Sequence, residues 1–264
     1  NADMLAVLRE HGEHAESRHR GVVTVTIPVA HGPAATGVDE PVQRYLTHAL
    51  GVGGGPTPTG IRITMSGRIK VGRWLAFVAE QEFSGHAFQW RARAGSRHCK
   101  PLHVVDAYRD GTGSTDGRLF GRVPFMHAED ANTARAAAAR AAAESIWVPG
   151  TLLPGPGVSW RAESDELIVA SFTVAPEPIE LALRIDAAGA VRSLSLMRWG
   201  NVGRKDFGYI PFGGDVHAER RFGSLILPSE MTVGWWYGTP RYAPFFDMTI
   251  VRATPTFHAP SSNP

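Results

Sequence analysis

The chain has 264 residues, which is enough for one large domain or two small ones with a sizeable core. Its 27 lysines and arginines and 25 aspartates and glutamates leave a formal net charge of +2. The arginines are dispersed among predicted strands rather than gathered in a basic stripe, so we predict no nucleic-acid partner. No run of about 18 or more apolar residues occurs, so the sequence predicts no membrane-spanning helix.

The single cysteine, Cys99, excludes an intrachain disulfide and a zinc site built from several cysteines. It favours a reducing compartment, and therefore the cytoplasm, over an oxidising one. The sequence begins at Asn1 rather than at methionine, so a removed signal or membrane anchor stays open. Nothing in the sequence decides the oligomeric state.

The first part of the chain predicts two helices and one strand. An amphipathic helix is predicted over residues 3–16, and GVVTVTIPV then reads as a strand. A second helix is predicted over 40–50, with a proline at its start. The stretch GVGGG after it is interpreted as a linker, because it follows a helix and lacks the spacing of a dinucleotide-binding fingerprint.

From residue 61 onward, apolar and polar residues alternate as they do in strands with one wet face. Such segments predict about 10–12 strands joined mostly by tight turns, without regular alternation of strands and helices. We therefore predict an α+β fold with an antiparallel sheet that curves into a half-barrel or a barrel, and the sequence does not decide whether it closes. The alanine-rich stretch predicts a helix over 129–147 on the concave side. We predict a single domain over residues 1–255 and a flexible tail over 256–264.

A half-barrel of this kind encloses an apolar cavity unless side chains fill it. The 7 tryptophans and 12 phenylalanines suit either a filled core or a lined pocket. In FQWRARA the apolar face carries Phe88 and Trp90, and in GWWYG we expect Trp235 and Tyr237 on one face and Trp236 on the other. Core packing explains most of this second cluster, and a pocket rim is the alternative.

The segment ESIWVPGTLLP places a glutamate in the last turn of the alanine-rich helix, where a negative charge is unfavourable. The negative charge of Glu144 faces the negative end of the helix dipole, and Trp147 lies three residues later on the same face. One reading is a surface glutamate paired with Arg140 at position i−4. The other has both side chains at the mouth of a cavity, where Glu144 needs a fixed partner. Arg198, and after it Arg44, are the partners that we predict for this second reading.

A further carboxylate interrupts an apolar strand. In HVVDAY, Asp106 is in phase with Val104 and Tyr108, so it is either buried, and then paired or protonated, or on a wet face. His11 and His14, one turn apart in the predicted first helix, would need a third ligand to hold a metal ion. Because that helix face is polar, we expect it to be solvated and predict neither a metal nor a cofactor.

Several segments together resemble a bacterial family of uncharacterised proteins of similar length. They are RYL at 44–46, GRWLAFVAEQEF with FQW, VVDAYRDGTG, AESIWVPGTLLP and LPSEMTVGWWYG. The family pattern is a W-x-A-x-Q-x-F strand pair followed by a helix that ends in Glu-x-x-Trp-x-Pro. More distantly, the layout is similar to the LolA-like lipoprotein-carrier half-barrel, which implies an acyl chain held between a curved sheet and helices.

These features predict the binding of an apolar or amphiphilic small molecule, lipid or polyketide-like, in an aromatic-lined cavity. The alternative is a cofactor-independent cyclase, isomerase or hydrolase acting on such a ligand by carboxylate acid–base catalysis. The candidate catalytic residues are Glu144, Asp106 and Tyr108. The candidate ligand-binding residues are Trp147, Trp90, Arg198, Trp235, Tyr237 and Phe88.

Overall fold

The structure is a computed structural model that describes residues 37–51 and 56–257, together with the backbone of residues 16–19 and 22–25. A short hairpin is formed by β1 (Glu16–His19) and β2 (Val22–Val25). Glu16, the last residue of the predicted first helix, belongs to β1, and residues 3–15 lie outside the described residues.

The other 13 strands that the structure describes form one antiparallel sheet. They are β3 (Gly60–Val71), β4 (Arg73–Ser84), β5 (Ala87–Gly95), β6 (Leu102–Arg109), β7 (Thr112–Leu119), β8 (Val123–Ala128), β9 (Val158–Ser164), β10 (Leu167–Val174), β11 (Glu177–Ile185), β12 (Val191–Gly200), β13 (Gly208–Phe222), β14 (Leu225–Trp235) and β15 (Ala243–Thr256). Thr256, the first residue of the predicted tail, is therefore the last residue of a strand.

The sheet consists of two meanders that meet at its centre. Strands β3 and β15 pair with each other at the centre of the sheet. From β3, the strands run in chain order through β4, β5, β6 and β7 to β8 at one edge. From β15, they run in reverse chain order to β9 at the other edge. The two outermost strands, β8 and β9, do not pair with each other, so the sheet is open. The sequence predicts a hairpin of two strands over residues 102–126, where the structure has β6, β7 and most of β8, and no strand was predicted at the position of β9.

Two helices lie inside the curve of the sheet. Helix α1 (Glu40–Leu50) packs against β9, β10 and β14, and helix α2 (Ala131–Glu144) packs against β6 and β7 as well as β10 to β12. Seven strands separate β7 from β12. In a flat sheet those two strands would lie about 38 Å apart at ~4.8 Å per spacing. A helix about 10 Å across contacts both only if the sheet wraps around it. The predicted antiparallel half-barrel with helices on its concave side is confirmed.

Small side chains allow helix α2 to approach the sheet closely. Seven of its alanines are buried, and Gly113 on β7 lies directly beneath the helix. A Cβ atom built on Gly113 would lie 2.8 Å from the Cα atom of Ala134. At the N-terminus, the carboxylate of Asp130 accepts a hydrogen bond from the backbone N–H of Thr133 at 2.7 Å. The α-helix ends at Glu144, and 3₁₀ turns continue over Ser145–Trp147 and Pro149–Leu152.

Candidate functional site

A cavity of about 300 Å³ lies between helix α2 and the inner face of the sheet. This volume falls at the lower end of the range of small-molecule pockets. Most of its wall is apolar, with aliphatic and methionine side chains beside six aromatic rings. These rings belong to Trp90, Trp147, Phe212, Trp235, Phe245 and Phe246. Four charged side chains also reach the cavity, namely Asp106, Arg140, Glu144 and Arg198.

Arg140 is the centre of a buried ion-pair network. Its Nε atom donates to Oε1 of Glu144 at 2.8 Å, and its Nη1 atom donates to Oδ2 of Asp106. The side chains of Arg140 and Glu144 are only 15% and 13% exposed. Burial alone would lower the pKa of Arg140, but the negative charges of Glu144 and Asp106 outweigh this and raise it. The guanidinium therefore stays charged and holds the two carboxylates together.

The outer oxygens of both carboxylates have donors of their own. The Nε2 atom of Gln81 donates to Oε2 of Glu144 at 2.6 Å, and the hydroxyl of Thr115 donates to Oδ1 of Asp106. All four carboxylate oxygens thus accept a hydrogen bond. The Oε1 atom of Gln81 is buried and has no hydrogen-bond partner among the described residues. This cluster fixes the end of helix α2 to strands β4, β6 and β7.

Arg198 differs from Arg140 because no carboxylate of the described chain pairs with it. Its Nε atom donates to the carbonyl oxygen of Ala136 at 3.2 Å, and its guanidinium lies 4.7 Å from the ring centre of Phe212 and 5.0 Å from that of Trp235. Burial lowers the pKa of Arg198 to about 10, and the positive charge of Arg140 contributes. Arg198 is therefore a cation at neutral pH, held by aromatic faces at the cavity wall.

The aromatic wall is shaped by a β-bulge. In the β14–β15 pair the register shifts between Val233 and Gly234, which leaves Phe245 as an extra residue. As a result Phe245 and Phe246, although adjacent in sequence, both line the cavity. Trp147 closes another side, and its indole N–H donates to the carbonyl oxygen of Pro228 at 3.2 Å.

The structure brings most of the predicted site residues together. Six of the nine line one cavity, and they are Asp106, Glu144, Trp90, Trp147, Arg198 and Trp235. Two alternatives were open for Asp106, an inward position with a partner or a position on a wet face. The structure has the inward position, with Arg140 as the partner.

Tyr108, Tyr237 and Phe88 do not line this cavity. Tyr108 is buried, and its hydroxyl donates to the carbonyl oxygen of Ala175. Burial raises the pKa of its phenol. The ring of Phe88 lies beside Tyr108 and 4.6 Å from the Arg140 guanidinium, below the cavity.

The expectation that Tyr237 shares a face with Trp235 is wrong. Strand β14 ends at Trp235, and Trp236 adopts a left-handed backbone conformation with φ of 61°. The period-2 alternation therefore stops, and Tyr237 lies against Arg184 and Ser195 on the outer face. Its hydroxyl donates to Asp215 at 2.6 Å.

The predicted partners of Glu144 are also wrong. Neither Arg198 nor Arg44 contacts Glu144, and Arg44 pairs with Glu40 on its own helix. The partner is Arg140, which the sequence offered only for a surface glutamate. Glu144 is thus largely buried, as expected for a glutamate at the mouth of a cavity. Its partner is nevertheless the arginine at i−4, which was expected for a surface glutamate. Arg140 reaches inward because its helix is covered on both sides by the curved sheet.

Sequence reasoning missed Gln81 and gave Arg140 no role in the cavity. Gln81 had a visible signal, because it interrupts the buried series of Phe77, Ala79 and Phe83 on β4. Arg140 lies within an alanine run, and its two partners are 4 and 34 residues away in sequence. Only the fold reveals the second of these pairs.

Residues 37–51 and 56–257 contain no group of three or more His, Cys, Asp and Glu side chains suited to a metal ion. His11 and His14 lie outside the described residues. In the same part of the chain, no helix is both long and apolar enough to cross a membrane.

Comparison with known proteins assigns the family. The model of DUF6544, a family of unknown function, matches residues 32–248. The chain belongs to this family. The predicted membership in a family of uncharacterised proteins is thus confirmed for DUF6544. No curated protein matches the chain.

Two solved structures are similar to this DUF6544 chain. A DUF1329 family protein from Desulfovibrio piger is 9% identical, covers 85% of this chain and 93% of its own, and has a TM-score of 0.45. A domain named as a candidate outer membrane lipoprotein-sorting protein, from Vibrio parahaemolyticus, is 6% identical, covers 84% and 93%, and also has a TM-score of 0.45.

Proposed function

We propose that the cavity binds a small amphiphilic molecule with an apolar body and one negatively charged group. The apolar body would lie against the aromatic and aliphatic wall, and the charged group would meet the guanidinium of Arg198. The observation that carries this proposal is the cation at the cavity wall without a carboxylate partner in the described chain. Buried charges are normally paired, so a ligand is the natural source of the missing partner.

The two arginines of the cavity support different roles. Arg140 already has Glu144 and Asp106 within hydrogen-bond distance and has little left to offer an anion. Among the described residues, Arg198 donates only from its Nε atom, to the carbonyl oxygen of Ala136. Its two terminal nitrogens are thus available for a bidentate contact with a carboxylate, sulfonate or phosphate group.

Acid–base catalysis by Glu144 or Asp106 has less support. Each of their four oxygens already accepts a hydrogen bond from Arg140, Gln81 or Thr115. A general base needs an oxygen placed toward the bound molecule. Tyr108, the third candidate, donates to a backbone carbonyl outside the cavity.

A matched pair of fluorescent probes tests the proposal. 8-Anilinonaphthalene-1-sulfonate carries a negative charge, and N-phenyl-1-naphthylamine has the same aromatic body without it. We expect the native protein to bind both and to prefer the sulfonate. Arg198→Met should weaken sulfonate binding by about tenfold or more, since a hydrogen bond to a charged group contributes ~1.5–3 kcal/mol. Binding of the neutral probe should change little.

Two controls keep the result specific. Arg91→Met removes an exposed arginine from the outer face of β5 and should leave both affinities unchanged. Val104→Trp and Val233→Trp fill the cavity from different strands and should abolish binding of both probes. An equal loss of both probes in Arg198→Met, or probe binding that survives both tryptophan variants, would overturn the proposal. The first outcome would mean that Arg198 only balances the charge of the Arg140 network.

A further inference from the structure

One end of the described sheet carries six turns, and five neighbouring ones among them are rich in basic residues. In an antiparallel meander every second turn lies at the same end, which places the β3–β4, β5–β6 and β7–β8 connections side by side. The start of β15 lies beside the end of β3, since Phe246 pairs with Ile69, so the β14–β15 turn joins the same row. The β12–β13 loop follows, where Gly203 lies near the guanidinium of Arg241. We call this the basic end, formed by residues 70–74, 96–101, 118–123, 201–207 and 236–242.

The basic end has a strong excess of positive charge. Its five segments contain nine lysines and arginines and a single acidic residue, Asp206. The basic residues are Lys70, Arg73, Arg97, Lys100, Arg118, Arg122, Arg204, Lys205 and Arg241. Among the described residues, none of them is in an ion pair. At the other end, the five turns with two flanking residues on each side carry a balanced charge, with four arginines and five acidic residues over 83–88, 108–113, 163–168, 184–192 and 221–226.

Large apolar side chains are exposed among these cations. Phe120 is 63% exposed, Val123 60% and Val71 57%. Trp74, Leu119, Val202 and Phe207 are also exposed at this end. Scattered single exposed apolar residues are normal on any protein, but seven of them within neighbouring turns that carry charge of one sign favour an interaction site.

One of these exposed side chains belongs to a residue with an unfavourable backbone conformation. Phe120 has a φ of 51°, a left-handed conformation that is strained for a bulky residue. Its N–H donates to the carbonyl oxygen of Pro101 at 2.6 Å, so the β7–β8 tip is fastened to the neighbouring β5–β6 loop. The side chain of Phe120 nevertheless stays exposed, so burial does not compensate for this conformation. Phe120 and Gly121 are the central residues of the turn between β7 and β8 and both have a positive φ, as such a turn requires, but turns of this kind favour asparagine, aspartate or glycine over a bulky aromatic residue.

We propose that the basic end binds the surface of a lipid bilayer that contains anionic lipids. Lysines and arginines would meet the head groups, and Phe120, Val123 and Val71 would enter the interfacial region. A bilayer fits better than a nucleic acid because exposed valine and leucine side chains gain nothing from phosphates or stacked bases. The cavity reaches the same end, since Ile69 and Trp235 line it close to the ends of their strands.

The single cysteine makes the test direct. Cys99 is exposed and lies in the β5–β6 loop of the basic end, so a nitrobenzoxadiazole label on its thiol would report entry into lipid. We expect its emission to rise with vesicles of phosphatidylcholine and phosphatidylserine, to rise far less with phosphatidylcholine alone, and to fall with added salt. A label on Ser84→Cys in a Cys99→Ser background, at the other end of the sheet, should not respond.

Matched variants separate local from global charge. Arg118→Glu with Arg122→Glu should weaken vesicle binding at least about tenfold, because each basic residue near an anionic surface contributes ~1 kcal/mol. Arg91→Glu with Arg109→Glu changes the net charge equally at positions outside the basic end and should have little effect. Phe120→Ser with Val123→Ser should also weaken binding. All these residues are exposed, so folding should be preserved.

Three results would overturn the proposal. They are no binding to anionic vesicles at low salt, equal losses in the two charge-reversal pairs, and binding of single-stranded RNA in place of vesicles. Binding of the two naphthalene probes by the Arg118→Glu/Arg122→Glu variant should equal that of the native protein. Failure of the membrane proposal therefore leaves the cavity proposal standing, and the reverse also holds.

Discussion

Replacing Arg140 by methionine should destabilise the protein severely, because it leaves two carboxylates without their shared cation. Methionine keeps an apolar stem but lacks the guanidinium, which lies 4.6 Å from the ring centre of Phe88 and 5.1 Å from that of Trp90. Breaking a buried ion pair by removing one partner typically costs ~3–5 kcal/mol. The Asp106 and Glu144 side chains are still 22% and 13% exposed, so water screens them in part. We therefore expect about 3 kcal/mol, the lower end of that range.

Thermal and urea unfolding measure this loss. For a chain of this size, 1 kcal/mol shifts the Tm by ~2–4 °C, so Arg140→Met should melt about 6–12 °C below the native protein. Adding Asp106→Asn and Glu144→Gln should restore much of the loss, because the amides carry no buried charge and still accept hydrogen bonds from Thr115 and Gln81. The exposed control Arg91→Met should melt within ~2 °C of the native protein. An equally small shift for Arg140→Met would contradict the prediction, and so would a triple variant that is no more stable than Arg140→Met alone.

Two smaller predictions concern the packing of helix α2 and the pH dependence of stability. Gly113→Ala should destabilise by ~1–3 kcal/mol, because its Cβ would lie 2.8 Å from Ala134, whereas Gly157→Ala, with open space around it, should stay within ~0.5 kcal/mol. Urea unfolding of both variants provides the comparison. Burial lowers the pKa of His86 from 6.5, so the unfolded state binds its proton more readily and stability falls as the pH drops below 6.5. His86→Phe should reduce that loss, and an unchanged stability difference between pH values above and below 6.5 would contradict it.

The sheet was predictable because the strand signal is local. Alternation over IRITMSGRI or FQWRARA depends only on one buried and one exposed face, and the structure has Ile61, Ile63 and Met65 buried as expected. Strand β8 lacks that signal, since five of its six residues are exposed. Strand β9 carries it over a short stretch, with Val158, Trp160 and Ala162 packed against the core, and it was nevertheless overlooked in the sequence. The extrapolation from Trp235 to Tyr237 failed where one left-handed residue ended the alternation.

The candidate site was predictable to the extent that polar residues interrupt apolar patterns. Asp106 on a buried strand face and Glu144 next to Trp147 both carried that signal, and both line the cavity. The sequence did not reveal which cation pairs with these two carboxylates. That depends on the sheet order, which places β6 and β12 on opposite walls around one helix, and no local sequence pattern specifies this order. Asp106 and Glu144 therefore both pair with Arg140 on the helix and not with Arg198 on β12.

The same geometry explains why a glutamate is retained at the C-terminal end of helix α2. A negative charge there costs ~0.3–1 kcal/mol through the helix dipole. Glu144 accepts charge-assisted hydrogen bonds from Arg140 and Gln81, at 2.8 and 2.6 Å, each typically ~1.5–3 kcal/mol. These bonds exceed the dipole cost, and the one from Gln81 fastens the helix end to β4 on the facing wall. An arginine or lysine at position 144 would suit the dipole, but it would place a third cation beside Arg140 and Arg198 and leave Asp106 as the only carboxylate of the cavity. The fixed negative charge at this position is therefore set by the ion-pair network across the cavity, and the helix accommodates it.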